Sequence, residues 1–220
     1  MPALRGHIRG DHTLGHYLLG TDDRAKLFVL DIDLNKTGIL YVSPEGATDP
    51  EETVPLPVNP REDWQNRADP YRTEYKMLMR EISNQFARMV HTHLGIPVGI
   101  AYSGYKGMHV YGFTGSLAAA EVREAGRIIM EAAGWIPSRG YAFFSPGETV
   151  NPDFNIFTIE VYPKQDSIEG KDLGNLVKLP CGVDQRSKVR SFFIDTTAPY
   201  SVLQPHPDQL GVLDTGNPWM

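Results

Sequence analysis

Two carboxylates set one residue apart, Asp31 and Asp33, stand in the run Lys26 to Asn35 (KLFVLDIDLN). Side chains alternate along a strand, so Phe28, Leu30, Ile32 and Leu34 face one way while Val29, Asp31 and Asp33 face the other. The two acids then share a face, with Cα atoms about 7 Å apart by strand rise. Like charges this close repel, and a divalent cation relieves the repulsion. Hard oxygen donors at this spacing suit Mg²⁺ or Mn²⁺. The plain alternative is a solvated strand face.

A second group is Ser103-Gly-Tyr-Lys-Gly-Met-His109. Its glycines allow close backbone approach to a ligand. Ser103, Lys106 and His109 offer a hydroxyl, an ammonium and an imidazole, the makings of a triphosphate cradle. Without a ligand it reads as a hairpin turn with a surface lysine and a core histidine. A third region holds Glu160, Asp166, Lys178, Asp184, Arg186, Lys188 and Arg190. It supplies more carboxylates and a local basic cluster suited to nucleotide or template phosphates, or else a solvated polar hairpin. His91 and His93, two apart near a helix end, face different ways and make a poor metal pair.

The elements that must carry these groups follow from periodicity. The spacing predicts strands over Lys26–Asn35, Ile39–Ser43, Val98–Tyr102, Met108–Phe113, Ile156–Tyr162, Leu173–Leu179 and Arg190–Asp195. Helices are expected over Tyr71–Leu94, stopped by Gly95 and Pro97, and from a Ser116 cap to Ala133. Residues 1–26 read as an irregular or partly helical entry. Residues 44–70 and 135–155 read as Pro- or Gly-punctuated loops, and 197–220 as a connector to a further domain. The order of elements implies an α+β fold.

Composition narrows the function. The 220 residues suit one domain, or one with two lobes. A net charge of −6 argues against tight, nonspecific DNA binding by this chain alone, but an acidic active site is compatible with it. The single cysteine, Cys181, rules out an internal disulfide and a cysteine-based zinc site. No apolar run reaches the length of a membrane span and no signal segment is evident, so no membrane partner and a cytoplasmic location are expected.

Taken in order, Asp31/Asp33, the Ser-Gly-x-x-Gly-x-His hairpin, and a third acid upstream of Leu176-Val-Lys178-Leu-Pro180 resemble the archaeo-eukaryotic primase superfamily. The Tyr162-Pro-Lys-Gln-Asp166 piece resembles primase-polymerases of phages, plasmids and mobile elements. The resemblance spans residues 31–195. It implies an RRM-like catalytic sheet with helices plus a smaller N-terminal α/β lobe. It implies that Asp31, Asp33 and Asp166 hold two Mg²⁺ or Mn²⁺ ions, with Glu160 the alternative third acid. Ser103, Lys106, His109, Lys178 and Arg186 would bind the incoming NTP or dNTP. The expected partners are a single-stranded DNA template and a fused or separate helicase. Asp184 stands where many relatives have a histidine and receives no role. An Asp-x-Asp glycosyltransferase and a non-catalytic RRM-like nucleic-acid-binding module are the competing readings.

Overall fold

The structure, a computed structural model, describes residues 2–45, 49, 52–139, 142–170 and 174–217. In chain order the elements are α1 (Pro2–Arg9), β1 (Gly15–Tyr17), β2 (Arg24–Leu34), β3 (Gly38–Val42), β4 (Val54–Val58), α2 (Pro60–Gln65) and α3 (Arg72–Leu94). There follow β5 (Val98–Tyr102), β6 (Gly107–Ala118), α4 (Ala119–Ala132), β7 (Trp135–Arg139), β8 (Phe143–Pro146), a 3₁₀ turn (Pro152–Ile156), β9 (Phe157–Tyr162), β10 (Leu176–Lys178), β11 (Phe192–Phe193) and α5 (Gly211–Thr215).

The main sheet has seven strands in the order β11-β5-β6-β2-β9-β8-β7. Every pairing in it is antiparallel. Its centre, β2-α3-β5-β6-α4-β9, is a βαββαβ unit with β2 and β6 in the middle, the split-βαβ arrangement of RRM-like domains. The fold is α+β.

The alternation in β2 divides the sheet into two faces. Phe28, Leu30, Ile32 and Leu34 are fully buried, and they pack with Ile82, Phe86 and Val90 of α3 and Val122 and Ile129 of α4. Each such side chain contributes roughly 1.5–3 kcal/mol on burial, so this face anchors the molecule. The opposite face is closed at one end only. There Val29, Tyr111 and Phe193 pack under Leu18, Val177 and Val212, from the β1–β10 side and from α5. The other end of that face stays open, and it carries Asp31 and Asp33.

Several elements differ from the sequence expectation. The Pro-rich stretch 44–70 is not a single loop: β4 pairs with β3, and α2 follows, started by Asn59, whose side chain accepts from Glu62 N. Pro55 and Pro57 fit because β3 and β4 form a sheet of only two strands, whose outer side needs no donor. The stretch 135–155 holds β7, β8 and the 3₁₀ turn. Ser116 lies in β6 and receives a hydrogen bond from Arg24 Nε at 3.0 Å, and α4 starts later, with Glu121 accepting from Ala118 N at 3.0 Å. The strand expected over 173–179 is β10, and Leu173 lies outside the described residues. The segment 197–217, expected as a connector, packs on the domain. Asn217 donates to Val98 O and Ile194 O and accepts from Ile100 N, closing onto the sheet edge.

The smaller unit expected at the N-terminus is assembled from distant segments. β1 pairs with β10, and buried His7 of α1 contacts Pro180 O through Nε2 at 3.1 Å while Nδ1 accepts from Leu14 N.

Candidate active site on the open sheet face

Three adjacent strands bring the chemistry together. In the β2–β6 register Asp31 faces His109, and in the β2–β9 register it faces Glu160. Directly opposed residues project to the same side, so His109, Asp31 and Glu160 form a row across the open face. Asp33 lies one step along, opposite Gly107 and Thr158. A Cβ on Gly107 would collide with the Ile32 carbonyl and approach Asp33 Oδ1 to 2.5 Å, so only glycine lets the hairpin close over the acid.

The β5–β6 turn aims its groups by internal bonds. The Ser103 hydroxyl accepts from Tyr105 N and Gly107 N, each at 3.3 Å, and Ser103 N donates to Gly107 O. The turn passes through Gly104 at φ +81°, where a Cβ would meet Val189 O at 2.8 Å. Lys106 is thereby held against Asp33, with which it forms an ion pair.

His109 Nε2 sits 3.3 Å from Asp31 Oδ1, and its Nδ1 lies 3.0 Å from the Tyr111 hydroxyl. With Nε2 carrying the proton toward Asp31, Nδ1 accepts from Tyr111. Burial pushes the Asp31 carboxyl up, but His109, Lys106 and Lys164 outweigh it and hold the group below the usual carboxylate range. Asp33 moves the other way: burial and the charge on Asp31 raise it, and Lys106 only partly compensates. Glu160 pairs with Lys164 and accepts from the Tyr162 hydroxyl at 2.8 Å. Burial and then Glu160 push the Tyr162 phenol up, so it stays a donor.

Most of these side chains border an open cleft of about 160 Å³; Glu160, Lys164 and Tyr111 stand behind its lining. The cleft brings together Asp31, Asp33, Ser103, Lys106, His109, Lys178 and Arg186, the positions singled out in the sequence. Asp166 is placed elsewhere, half exposed and paired with Arg123 at 2.6 Å. Tyr105, Tyr162 and Val177 also line the cleft and were missed. Tyr111 and Tyr162 had a signal, since each follows a candidate residue by two positions on a strand and shares its face. His16 of β1 had none. It lies near enough to His109 that burial, and then the charge of that imidazole, lower its pKa.

The 176–190 segment forms the far wall. Lys178 Nζ donates to Asp184 Oδ2 at 2.9 Å. Asp184, 4% exposed, also accepts from the backbone N–H groups of Arg186 and Ser187 at 3.0 Å each. The Ser187 hydroxyl in turn donates to Gly104 O, tying this segment to the hairpin. Asp184 thus has a part the sequence did not reveal: it holds Lys178 and the turn bearing Arg186. The expected basic cluster is only partly available. Arg190 donates to the carbonyls of Ile8 and Cys181, whereas the Arg186 side chain is 73% exposed and lies 4.6 Å over the Tyr105 ring.

Among the described residues no three His, Cys, Asp or Glu side chains close into a ready metal cage. The acids are each held by a cationic or imidazole side chain instead.

An RRM-like sheet whose open face bears paired carboxylates beside a lysine and a histidine defines the class: an α+β domain of split-βαβ architecture. A family model described as the archaeo-eukaryotic primase domain of the TOTE conflict system matches residues 2–217, and the chain belongs to that family. Membership makes it a primase-like domain of nucleotidyltransferase type. A comparison with curated proteins returned no match. Among the described residues no helix is long and apolar enough to cross a membrane.

Proposed function

We propose that this domain transfers nucleotides from NTPs or dNTPs to a strand paired with a single-stranded DNA template, acting as a primase, a DNA polymerase or both. The observation that carries the reading is the row His109–Asp31–Glu160 with Asp33 and Lys106 beside it. Acids that take hard cations and bases that take phosphates meet in one cleft.

Asp31, Asp33 and Glu160 would hold two Mg²⁺ or Mn²⁺ ions. The donor chemistry, though not the closed geometry of a cage, suits such ions: all three are carboxylates on one face, and the upward push of Asp31 on Asp33 is the repulsion a divalent cation relieves. In this reading Glu160, across from Asp31 on β9, takes the place expected of Asp166, which pairs with Arg123. When bound, the ions would supply Lewis acidity to the primer 3′-hydroxyl and positive charge to the departing pyrophosphate.

The chain's own groups position the substrate. Lys106, His109 and Lys178 bind the triphosphate oxygens, with Tyr111 fixing the imidazole and Asp184 fixing Lys178. Ser103 keeps the turn rigid, so Lys106 and His109 are aimed before substrate arrives. The 3′-oxygen then bonds to the α-phosphorus as the bond to pyrophosphate breaks. A non-catalytic RRM-like module would need exposed aromatics on its sheet. Here Tyr111 and Phe193 are buried beneath the β1–β10 side and α5.

The test offers primed and unprimed single-stranded DNA with Mg²⁺ or Mn²⁺ and labelled NTPs or dNTPs. Template-directed products that vanish in the Asp31→Asn/Asp33→Asn variant are expected, and the unprimed lane separates priming from extension. Equal product from the double variant refutes the reading.

A further inference from the structure

Beside the catalytic cleft lies a second pocket of about 310 Å³, walled by Trp64, Arg67, Arg72, Tyr102, Tyr105 and Arg186. It is built by the α2–α3 corner, within or beside a stretch that reads as a loop in the sequence, and by the two turns that also serve the cleft. Tyr105 and Arg186 line both cavities.

The pocket's chemistry is unusual for this chain. Three arginines line it and no carboxylate does, although the protein carries a net charge of −6. Two of the arginines are stacked on rings. The Arg72 guanidinium lies 4.3 Å from the centre of the Trp64 ring, and Arg186 lies 4.6 Å from that of Tyr105. Trp64 itself is fixed by donating from its indole nitrogen to Tyr105 O, and Arg72 donates to Trp64 O. The Trp64 ring and the Arg72 guanidinium are therefore held in place, and the corner is tied to the catalytic hairpin. Arg67 is exposed and makes no ion pair among the described residues. Flat cationic surfaces on aromatic supports, with an unpaired arginine at the edge, suit a phosphate and its attached base.

We propose that this pocket is the strand subsite: it binds a phosphate and base of the single-stranded DNA next to the incoming nucleotide. The inference rests on the polymerising function above and assigns a place to the strand. The triphosphate is accounted for by Lys106, His109 and Lys178, and Arg67 and Arg72 lie outside the cleft those residues line. Arg186, at the boundary, would contact both substrates.

The test measures binding of a labelled oligo-dT by fluorescence anisotropy, and binding of a fluorescent dNTP in Mn²⁺, with the full chain. Arg67→Glu should weaken oligonucleotide binding by about tenfold or more and reduce its salt dependence, with the dNTP affinity changed far less. Arg72→Ala should act in the same direction. Arg88→Glu makes the same charge change at an exposed position of α3 outside the pocket and should alter oligonucleotide binding little. Equal losses in Arg67→Glu and Arg88→Glu, no loss in Arg67→Glu, or no oligonucleotide binding by the unaltered chain would each overturn the assignment. Failure of the polymerising function shows separately, as absence of incorporation while the Arg67-dependent oligonucleotide binding persists.

Discussion

Glu160 stands directly across from Asp31 on the neighbouring strand, and both project from the open face of the sheet. Asp166, six residues further on, has left the sheet and pairs with Arg123. Glu160→Gln should therefore cut nucleotide incorporation by about 100-fold or more, the scale of losing a group at the reacting phosphate. Asp166→Asn should cost only a few-fold. Single-turnover incorporation on a primed template, with thermal melts to confirm folding, decides between the two acids.

Divalent cations should stabilise the fold through the same acids. At about 100 times its dissociation constant, a ligand specific to the folded state adds about 2.7 kcal/mol. Mg²⁺ or Mn²⁺ should thus raise the melting temperature, EDTA should reverse the rise, and Asp31→Asn/Asp33→Asn should abolish it. A rise that persists in the double variant places the ions elsewhere.

Tyr111 touches His109 but lines no part of the cleft. Tyr111→Phe removes the hydroxyl that orients the imidazole and keeps the ring that packs on Phe193. Incorporation should fall by about tenfold, the usual lower scale for losing a partner that orients a working side chain. Melting should barely change. A large loss of stability with normal specific activity would instead make Tyr111 a packing residue.

Burial works against the Asp184 charge, but bonds from Lys178 and the Ser187 and Arg186 backbone outweigh it and hold its pKa at about 2. A depressed pKa stabilises the folded state above the unfolded value, and that contribution disappears as the pH falls through the folded value. The stabilisation is about 2 kcal/mol, complete above about pH 4 and lost toward pH 2. Asp184→Asn should lower the urea midpoint at pH 7, and its difference from the unaltered protein should shrink as the pH approaches 3. It should also raise the KM for nucleotide, because Lys178 loses its anchor.

Gly107→Ala puts a methyl group against the Ile32 carbonyl, backbone on backbone, where neither side can yield cheaply. The variant should lose about 2 kcal/mol or more in urea unfolding, with incorporation impaired. Gly115→Ala at φ +73° meets nothing within 4 Å, so it reports the conformational cost alone and should lose less.

Much of the site was legible because its parts are local. Asp31 and Asp33 share a face through the two-residue period of one strand, and the Ser103–His109 turn is written in its own glycines. The helix 72–94 announces itself through the spacing of Ile82, Phe86 and Val90. Which acid stands beside Asp31 was not legible in this way. Asp166 and Glu160 are both near the right place in the chain, and only the register of β2 against β9 distinguishes them. That register comes from packing Ile159 and Val161 into the core beside Leu30 and Ile32.

The same distinction runs through the basic residues and the prolines. Arg186 and Arg190 are alike in sequence, yet Arg190 is consumed by two carbonyls while Arg186 reaches solvent over Tyr105. Pro55 and Pro57 argue for a loop by composition, yet β4 forms because its partner β3 meets it in a sheet that has no further strand among the described residues. Alternation, turn chemistry and charge are properties of neighbouring residues, so the chain alone specifies them. Which acid faces which strand, and which cation reaches solvent, depends on pairings between separate segments of the chain, because burial of the whole core selects them together.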